Sequence, residues 1–215
     1  MKGITILGAT GSVGTTTLDV VGRHRNRFQV IALTAHADVE GLLRQCLDHH
    51  PQYAVMVEET AAQRLRARSK QLGLNVQVLS GKQALEDVAK LPENDCIMAA
   101  IVGAAGLLPT LAAVSTGKRV LLANKESLVM AGQLFMQAVQ EHGAELIPID
   151  SNTMRFFNVY HLRNGMVCDA FCSPPRAGPS VAGPKKNCVE SPLRRLVRTP
   201  NGPWGARFPW IRPLS

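Results

Sequence analysis

Gly8-Ala9-Thr10-Gly11-Ser12-Val13-Gly14 lies between the apolar run Ile4-Thr5-Ile6-Leu7 and the helical pattern of Thr15 to Val21. Strand, glycine-rich turn and helix, in that order, are the setting in which a loop holds a pyrophosphate. The glycines permit a tight turn and a close backbone approach, and free N–H groups at the helix start face the negative charge. The spacing here is G-x-x-G-x-x-G rather than the commoner G-x-G-x-x-G. A glycine loop alone is weak evidence, the other reading being a βα turn that binds nothing; the strand and helix on its correct sides favour the ligand.

The chain beyond the loop repeats the same unit. Phe28 to Ala35 reads as a second strand, and Asp38 to Leu47 as a helix with Val39, Leu42, Leu43 and Cys46 on one face. Strands follow at Tyr53 to Val57, Val76 to Leu79, Cys96 to Val102, Arg119 to Ala123 and Glu145 to Ile149. Helices are predicted between them at Glu58 to Leu72, Lys82 to Ala89, Leu107 to Thr116 and Lys125 to His142, with Gly117 as a stop signal. Strict alternation of strand and helix predicts an α/β fold with a doubly wound parallel sheet, a Rossmann-like nucleotide-binding domain. In that architecture ligands gather beyond the carboxyl ends of the strands. Three polar clusters fall there: the glycine loop, Asn124-Lys125-Glu126, and Asp150-Ser151.

Composition divides the chain. The net charge is +8, yet residues 1–151 carry 14 basic and 14 acidic side chains, so the excess lies in residues 152–215, with 10 basic and 2 acidic. That tail also holds 9 of the 13 prolines and both tryptophans. A neutral domain over 1–151 and a largely irregular Pro/Arg-rich tail over 152–215 are therefore expected. The tail could be taken as a basic arm for nucleic acid, with Lys185-Lys186 and Arg194-Arg195 as its best residues. It lacks aromatic or heptad patterning, and no nucleic-acid partner is expected. No run reaches the roughly 18 apolar residues of a membrane span, so no membrane partner is expected either. With a strand pattern at the amino end, the expectation is a cytoplasmic protein without a signal peptide. The five cysteines, Cys46, Cys96, Cys168, Cys172 and Cys188, show no metal spacing and read as buried or incidental thiols.

The second strand bears on the cofactor. NAD sites place an acid at its tip for the ribose 2′-hydroxyl. Here the tip is Ala35-His36-Ala37, with Asp38 slightly late. That leans towards NADP, although no Arg or Lys stands there for a 2′-phosphate.

Taken together with Ala99-Ala100-Ile101-Val102-Gly103-Ala104-Ala105-Gly106-Leu107, Leu122-Ala123-Asn124-Lys125-Glu126-Ser127-Leu128 and Pro148-Ile149-Asp150-Ser151, the glycine loop resembles that of the 1-deoxy-D-xylulose 5-phosphate reductoisomerases. The resemblance runs from about residue 1 to 151. It implies an amino-terminal NADPH domain of an enzyme that makes 2-C-methyl-D-erythritol 4-phosphate in non-mevalonate isoprenoid biosynthesis, using NADPH and a divalent metal, Mg2+ or Mn2+. By position, it implies cofactor contacts from Thr10, Gly11, Ser12, Val13, Asn124 and Glu126. It likewise implies contacts from Lys125 and Ser151 to a phosphorylated sugar, and a metal ligand at Asp150. The family often has Gly-Lys-Asn where this chain has His36-Ala37-Asp38, so no contact is carried over there. Members are usually homodimers, through regions that this chain does not encode as written.

After Ser151 the resemblance stops. The family continues Glu-His-Asn-Ala-Ile-Phe-Gln, the Glu being a second metal ligand, whereas this chain reads Asn152-Thr153-Met154-Arg155-Phe156-Phe157-Asn158. Reading synonymous codons one base out of step, Asn152 to Val159, Ala170 to Val181 and Thr199 to Pro213 can each encode catalytic-domain text of the family. They do so in order and in one frame. A single lost base after the Ser151 codon would account for this, leaving a disordered tail and little or no turnover. A divergent Pro-rich extension is the other reading. On function, the alternative to an impaired reductoisomerase is a stand-alone NADP-binding module without catalysis.

Overall fold

A computed structural model describes residues 1–149 of the 215. Asp150, Ser151, the tail of residues 152–215 and its three cysteines lie outside the described residues. Seven strands alternate with six helices: β1 (Lys2–Leu7), α1 (Ser12–Arg23), β2 (Phe28–Ala35), α2 (Val39–His49), β3 (Tyr53–Met56), α3 (Glu59–Gln71), β4 (Gln77–Ser80), α4 (Gly81–Lys90), β5 (Cys96–Ala99), α5 (Leu107–Val114), β6 (Arg119–Leu122), α6 (Lys125–His142) and β7 (Glu145–Pro148). A 3-10 turn at Ala104–Gly106 leads into α5.

All strand pairs are parallel, in the order β4-β3-β2-β1-β5-β6-β7. The chain winds outward from β1 to β4, crosses back to lay β5 on the other side of β1, then winds outward again. This is the doubly wound sheet expected from the alternation, with its switch point between β1 and β5.

Side-chain alternation explains the two cores. Ile4 and Ile6 of β1 and Cys96 and Met98 of β5 face the layer that contains Leu18, Val21, Leu42, Cys46 and Leu65 of α1 to α3. Leu7, Ile97, Ala99, Val120 and Leu122 face the opposite layer, built by Val88, Ala113, Leu128 and Phe135 of α4 to α6. Strands buried on both faces need continuous apolar runs, as β1, β2 and β5 have. Burial makes the Cys46 and Cys96 thiols inert, raising them to about 12 and about 11.

Because α4 to α6 all pack on one side, no described helix covers β6 and β7 on the other. A groove of about 1360 Å³ runs there beside α1, floored by Met98, Leu121 and Ile147. It touches the glycine loop at Ser12 and Val13 and is otherwise lined, among the described residues, by α1 and the turn after it and by β1, β5, β6 and β7.

Most boundaries shift by a residue or two from expectation, and the largest shift among the strands is at β5. The apolar run Cys96 to Val102 was expected to be strand throughout, but β5 ends at Ala99 and Val102 is 81% exposed. The turn at Gly103, with φ of 71°, takes the chain away from the sheet edge. That early exit opens the switch point.

Candidate functional site

The sheet's carboxyl edge is level across four strands. Beyond the strand ends, Ala100 N donates to Leu7 O at 3.0 Å, Ala123 N to Ala99 O at 3.0 Å and Ile149 N to Leu122 O at 3.0 Å. Gly8, Ala100, Ala123 and Ile149 therefore stand in one row, about 4.8 Å apart from strand to strand. The glycine loop and Asn124-Lys125-Glu126 leave the sheet at the same edge, as the sequence implied. Asp150 and Ser151 follow Ile149 in the chain, but their placement is outside the described residues.

The glycine loop is held by its backbone. Gly8 turns with φ of 84°, its N donates to Thr34 Oγ1 at 2.9 Å, and Ala9 N donates to Thr34 O at 2.7 Å. A Cβ on Gly8 would stand 2.9 Å from Ala100 O, so the loop after β1 and the loop after β5 touch only because residue 8 is glycine. From α2, Gln45 Nε2 donates to Ala9 O at 2.8 Å. Neither Gln45 nor Thr34 was picked out from sequence, and nothing in their spacing could have done so.

Thr10, Gly11, Ser12 and Val13 are accessible, and the start of α1 has neither a side-chain cap nor an acid in its first turn. Asp38 caps α2 and Asn124 caps α6, whereas α3, α4 and α5 share with α1 the lack of a side-chain cap; α1 differs from these in following the glycine loop. An uncapped helix start presents unpaired N–H groups and a positive dipole end to an incoming anion. The residues present therefore fit a dinucleotide's pyrophosphate.

Asn124 is 1% exposed and fully occupied. Its amide nitrogen donates to Ile101 O at 2.7 Å and Gly103 O at 3.0 Å, while its side-chain oxygen accepts from Ser127 N at 3.2 Å. It thus ties the tip of β6 to the loop after β5, and a direct ligand contact from its side-chain NH2 is ruled out in this arrangement. Gly106 packs against the same amide and the Ile101 carbonyl, leaving under 3 Å for any added Cβ.

Lys125 and Glu126 open α6, half-buried, and among the described residues neither has an ion pair or a side-chain hydrogen bond. Glu126 suits the positive end of a helix, whereas Lys125 opposes it by a few tenths of a kcal/mol, ~0.3 or more. A bound anion would reverse that sign. For a metal the described residues offer less: no three His, Cys, Asp or Glu side chains converge among them. No helix among them is long and apolar enough to cross a membrane.

With this geometry in hand, the kinship of the chain is clear. Residues 4–132 match the family model of the 1-deoxy-D-xylulose 5-phosphate reductoisomerases. The reductoisomerase of Nitrosomonas europaea is 56% identical over 154 residues, which is 72% of this chain and 37% of the relative. That of Methylococcus capsulatus is 58% identical over 205 residues, 94% of this chain and 46% of the relative. Among solved structures, the Zymomonas mobilis reductoisomerase in complex with NADPH superposes with a TM-score of 0.67 at 45% identity, covering 70% of this chain and 39% of that one. A reductoisomerase in complex with NADPH, fosmidomycin and magnesium gives 0.69 at 43% identity, covering 71% and 37%. The chain spans roughly two fifths of the length of such relatives.

Proposed function

The chain belongs to the 1-deoxy-D-xylulose 5-phosphate reductoisomerase family, and from that premise we propose that residues 1–151 are the NADPH-holding domain of such an enzyme. The carrying observation is the level edge at which an uncapped α1, the loop after β5 and the start of α6 meet. In this reading Thr10, Ser12 and Val13 receive the pyrophosphate on backbone N–H groups, and Gly11, whose N donates to Gly8 O at 3.2 Å, leaves room for its close approach. Asn124 contributes by positioning the loop after β5, and Glu126 flanks the cofactor. Lys125 offers its charge to the phosphate of a phosphorylated sugar, and the family resemblance assigns Ser151 a contact to the same substrate. NADPH, when bound, supplies hydride for reduction of the substrate.

The whole enzyme's reaction, from 1-deoxy-D-xylulose 5-phosphate to 2-C-methyl-D-erythritol 4-phosphate, is proposed for the family's full architecture rather than for this stretch. A divalent cation, Mg2+ or Mn2+, enters the proposal only through Asp150. A hard cation takes six or more oxygens, so one carboxylate does not make the site. Since the chain spans about two fifths of its relatives, a second reading stands beside the first: a dinucleotide-binding module without catalysis. NADPH binding without turnover by the purified chain would select it. A cytoplasmic setting is part of the same proposal, supported by Cys46 and Cys96, which are free and buried among the described residues.

We also propose a lost base after codon 151 as the origin of the tail. The 205-residue match to the Methylococcus capsulatus relative weighs against it, because a match covering 94% of the chain has to include tail residues. The nucleotide sequence through codon 152 decides: an intact frame there removes the proposal.

Gly11→Ala tests the cofactor site. Gly11 has φ of −74°, and a Cβ there would meet only Gly8 O, at 3.4 Å. The variant should keep its melting temperature, with a change below about 0.5 kcal/mol. Fluorescence titration should show NADPH affinity reduced by about tenfold, since the new methyl occupies the path of approach to the loop. Unchanged affinity would remove the pyrophosphate from this loop.

A further inference from the structure

The dinucleotide reading gives the loop after β1 its donors without saying what prepares them. Thr10 N, Ser12 N and Val13 N have no acceptor among the described residues, Ser12 and Val13 because they open α1. Each of these N–H groups shares a peptide with the carbonyl of the preceding residue, and each of those carbonyls accepts from a side chain. Gln45 Nε2 donates to Ala9 O at 2.8 Å, Thr15 Oγ1 to Gly11 O at 2.9 Å and Thr16 Oγ1 to Ser12 O at 2.9 Å. The peptide between Thr10 and Gly11 is the exception on both sides. Gly11 N already donates to Gly8 O at 3.2 Å. Among the described residues no side chain donates to Thr10 O.

Threonine in a helix readily bonds the carbonyl four residues back, as Thr110 does with Gly106 O, so one such contact says little. Two features set this loop apart. Thr15, Thr16 and Thr17 stand in succession, Thr17 serving Val13 O at 2.8 Å, although β-branched residues are poor helix formers. The free N–H that no helical threonine can serve, that of Thr10, is served instead from α2, 36 residues away. Gln45 makes that contact while its own Oε1 stays buried with no partner among the described residues. The amide thus exchanges one unpaired acceptor for another and gains the fold little.

We propose that Gln45, Thr15 and Thr16 are positioning residues of the cofactor site, each strengthening the backbone N–H of the peptide whose carbonyl it holds. The peptide C–N bond has partial double-bond character, so a hydrogen bond to the oxygen draws electron density from the nitrogen and leaves its hydrogen more positive. Linked hydrogen bonds strengthen one another by roughly 10–30% per bond. The same contacts fix the three peptide planes, so the donors need no reorientation when a pyrophosphate arrives. The inference rests on the dinucleotide reading above.

Fluorescence titration of the full chain with NADPH, together with amide-proton NMR of the free protein, tests it. Thr15→Val and Thr16→Val keep a β-branched side chain and lose the hydroxyl. Each should weaken NADPH binding by about threefold, and move upfield the amide proton of Ser12 or of Val13 respectively. Thr15→Ser and Thr16→Ser keep the hydroxyl and should leave both readouts at the parent's values. Gln45→Met should likewise weaken binding by about threefold and move the Thr10 amide proton. Thr15 and Thr16 are exposed, so their variants should melt within about 2 °C of the parent. Valine variants that bind NADPH as the parent does, that leave the amide protons in place, or whose effect the serine variants share overturn this inference alone. A parent chain that binds no NADPH overturns it together with the dinucleotide reading.

Discussion

Gly14→Ala is expected to destabilise the domain by about 3 kcal/mol, at the upper end for overpacking, and to lower its melting temperature by roughly 10 °C. Gly14 is buried in the first turn of α1, where a Cβ would come under 3 Å from Gly8 O, Ala9 O and Ala9 Cα. All three are backbone atoms of the loop that β1 and Thr34 hold in place, so no side chain can swing aside. The helix has to move away from β1, and the loop loses the geometry that aims its N–H groups. Loss of NADPH binding should therefore accompany the loss of stability, in contrast to Gly11→Ala. Thermal unfolding and titration of the two variants side by side check the distinction. If Gly14→Ala melts within 2 °C of the parent, about 1 kcal/mol or less, the close packing of α1 on the loop is not as described.

The second large effect is expected at Asn124. Replacement by Ala removes the cap on Ser127 N and both donors to Ile101 O and Gly103 O. A cap is worth about 1 kcal/mol, and carbonyls left without a donor add about 1 kcal/mol each where water does not reach them, so a loss of about 2–3 kcal/mol is expected. Asn124→Asp separates the two roles. Aspartate caps helices as well as asparagine does, but it turns an acceptor towards two carbonyl oxygens. It should therefore be at least as destabilising as Ala, and should free the loop after β5. Urea unfolding measures the first effect, and hydrogen exchange at residues 101–106 the second. An Asp variant as stable as the parent would reduce Asn124 to a cap.

Much of this was legible in the sequence. The glycine loop could be placed because strand and helix patterns flank it. The helix from Lys125 to His142 appears with those bounds, although its backbone departs from helical geometry at Ala131. The end of β5 was not legible. Ile101 and Val102 extend an apolar run, and only the sheet edge determines that the chain leaves it after Ala99. The roles of polar residues at the edge were also hidden. The family resemblance implies a cofactor contact for Asn124, yet its amide is consumed by two carbonyls more than 20 residues upstream.

By itself, the sequence determined the alternation of strands and helices, the neutrality of the first 151 residues and the family, because local periodicity and contiguous motifs are written along the chain. Tertiary structure alone decided which strands are neighbours and that Thr34 and Gln45 secure the glycine loop. Those relations depend on parallel pairing between segments distant in sequence. Pairing aligns strand tips in space, and no periodicity along the chain records which tips will meet.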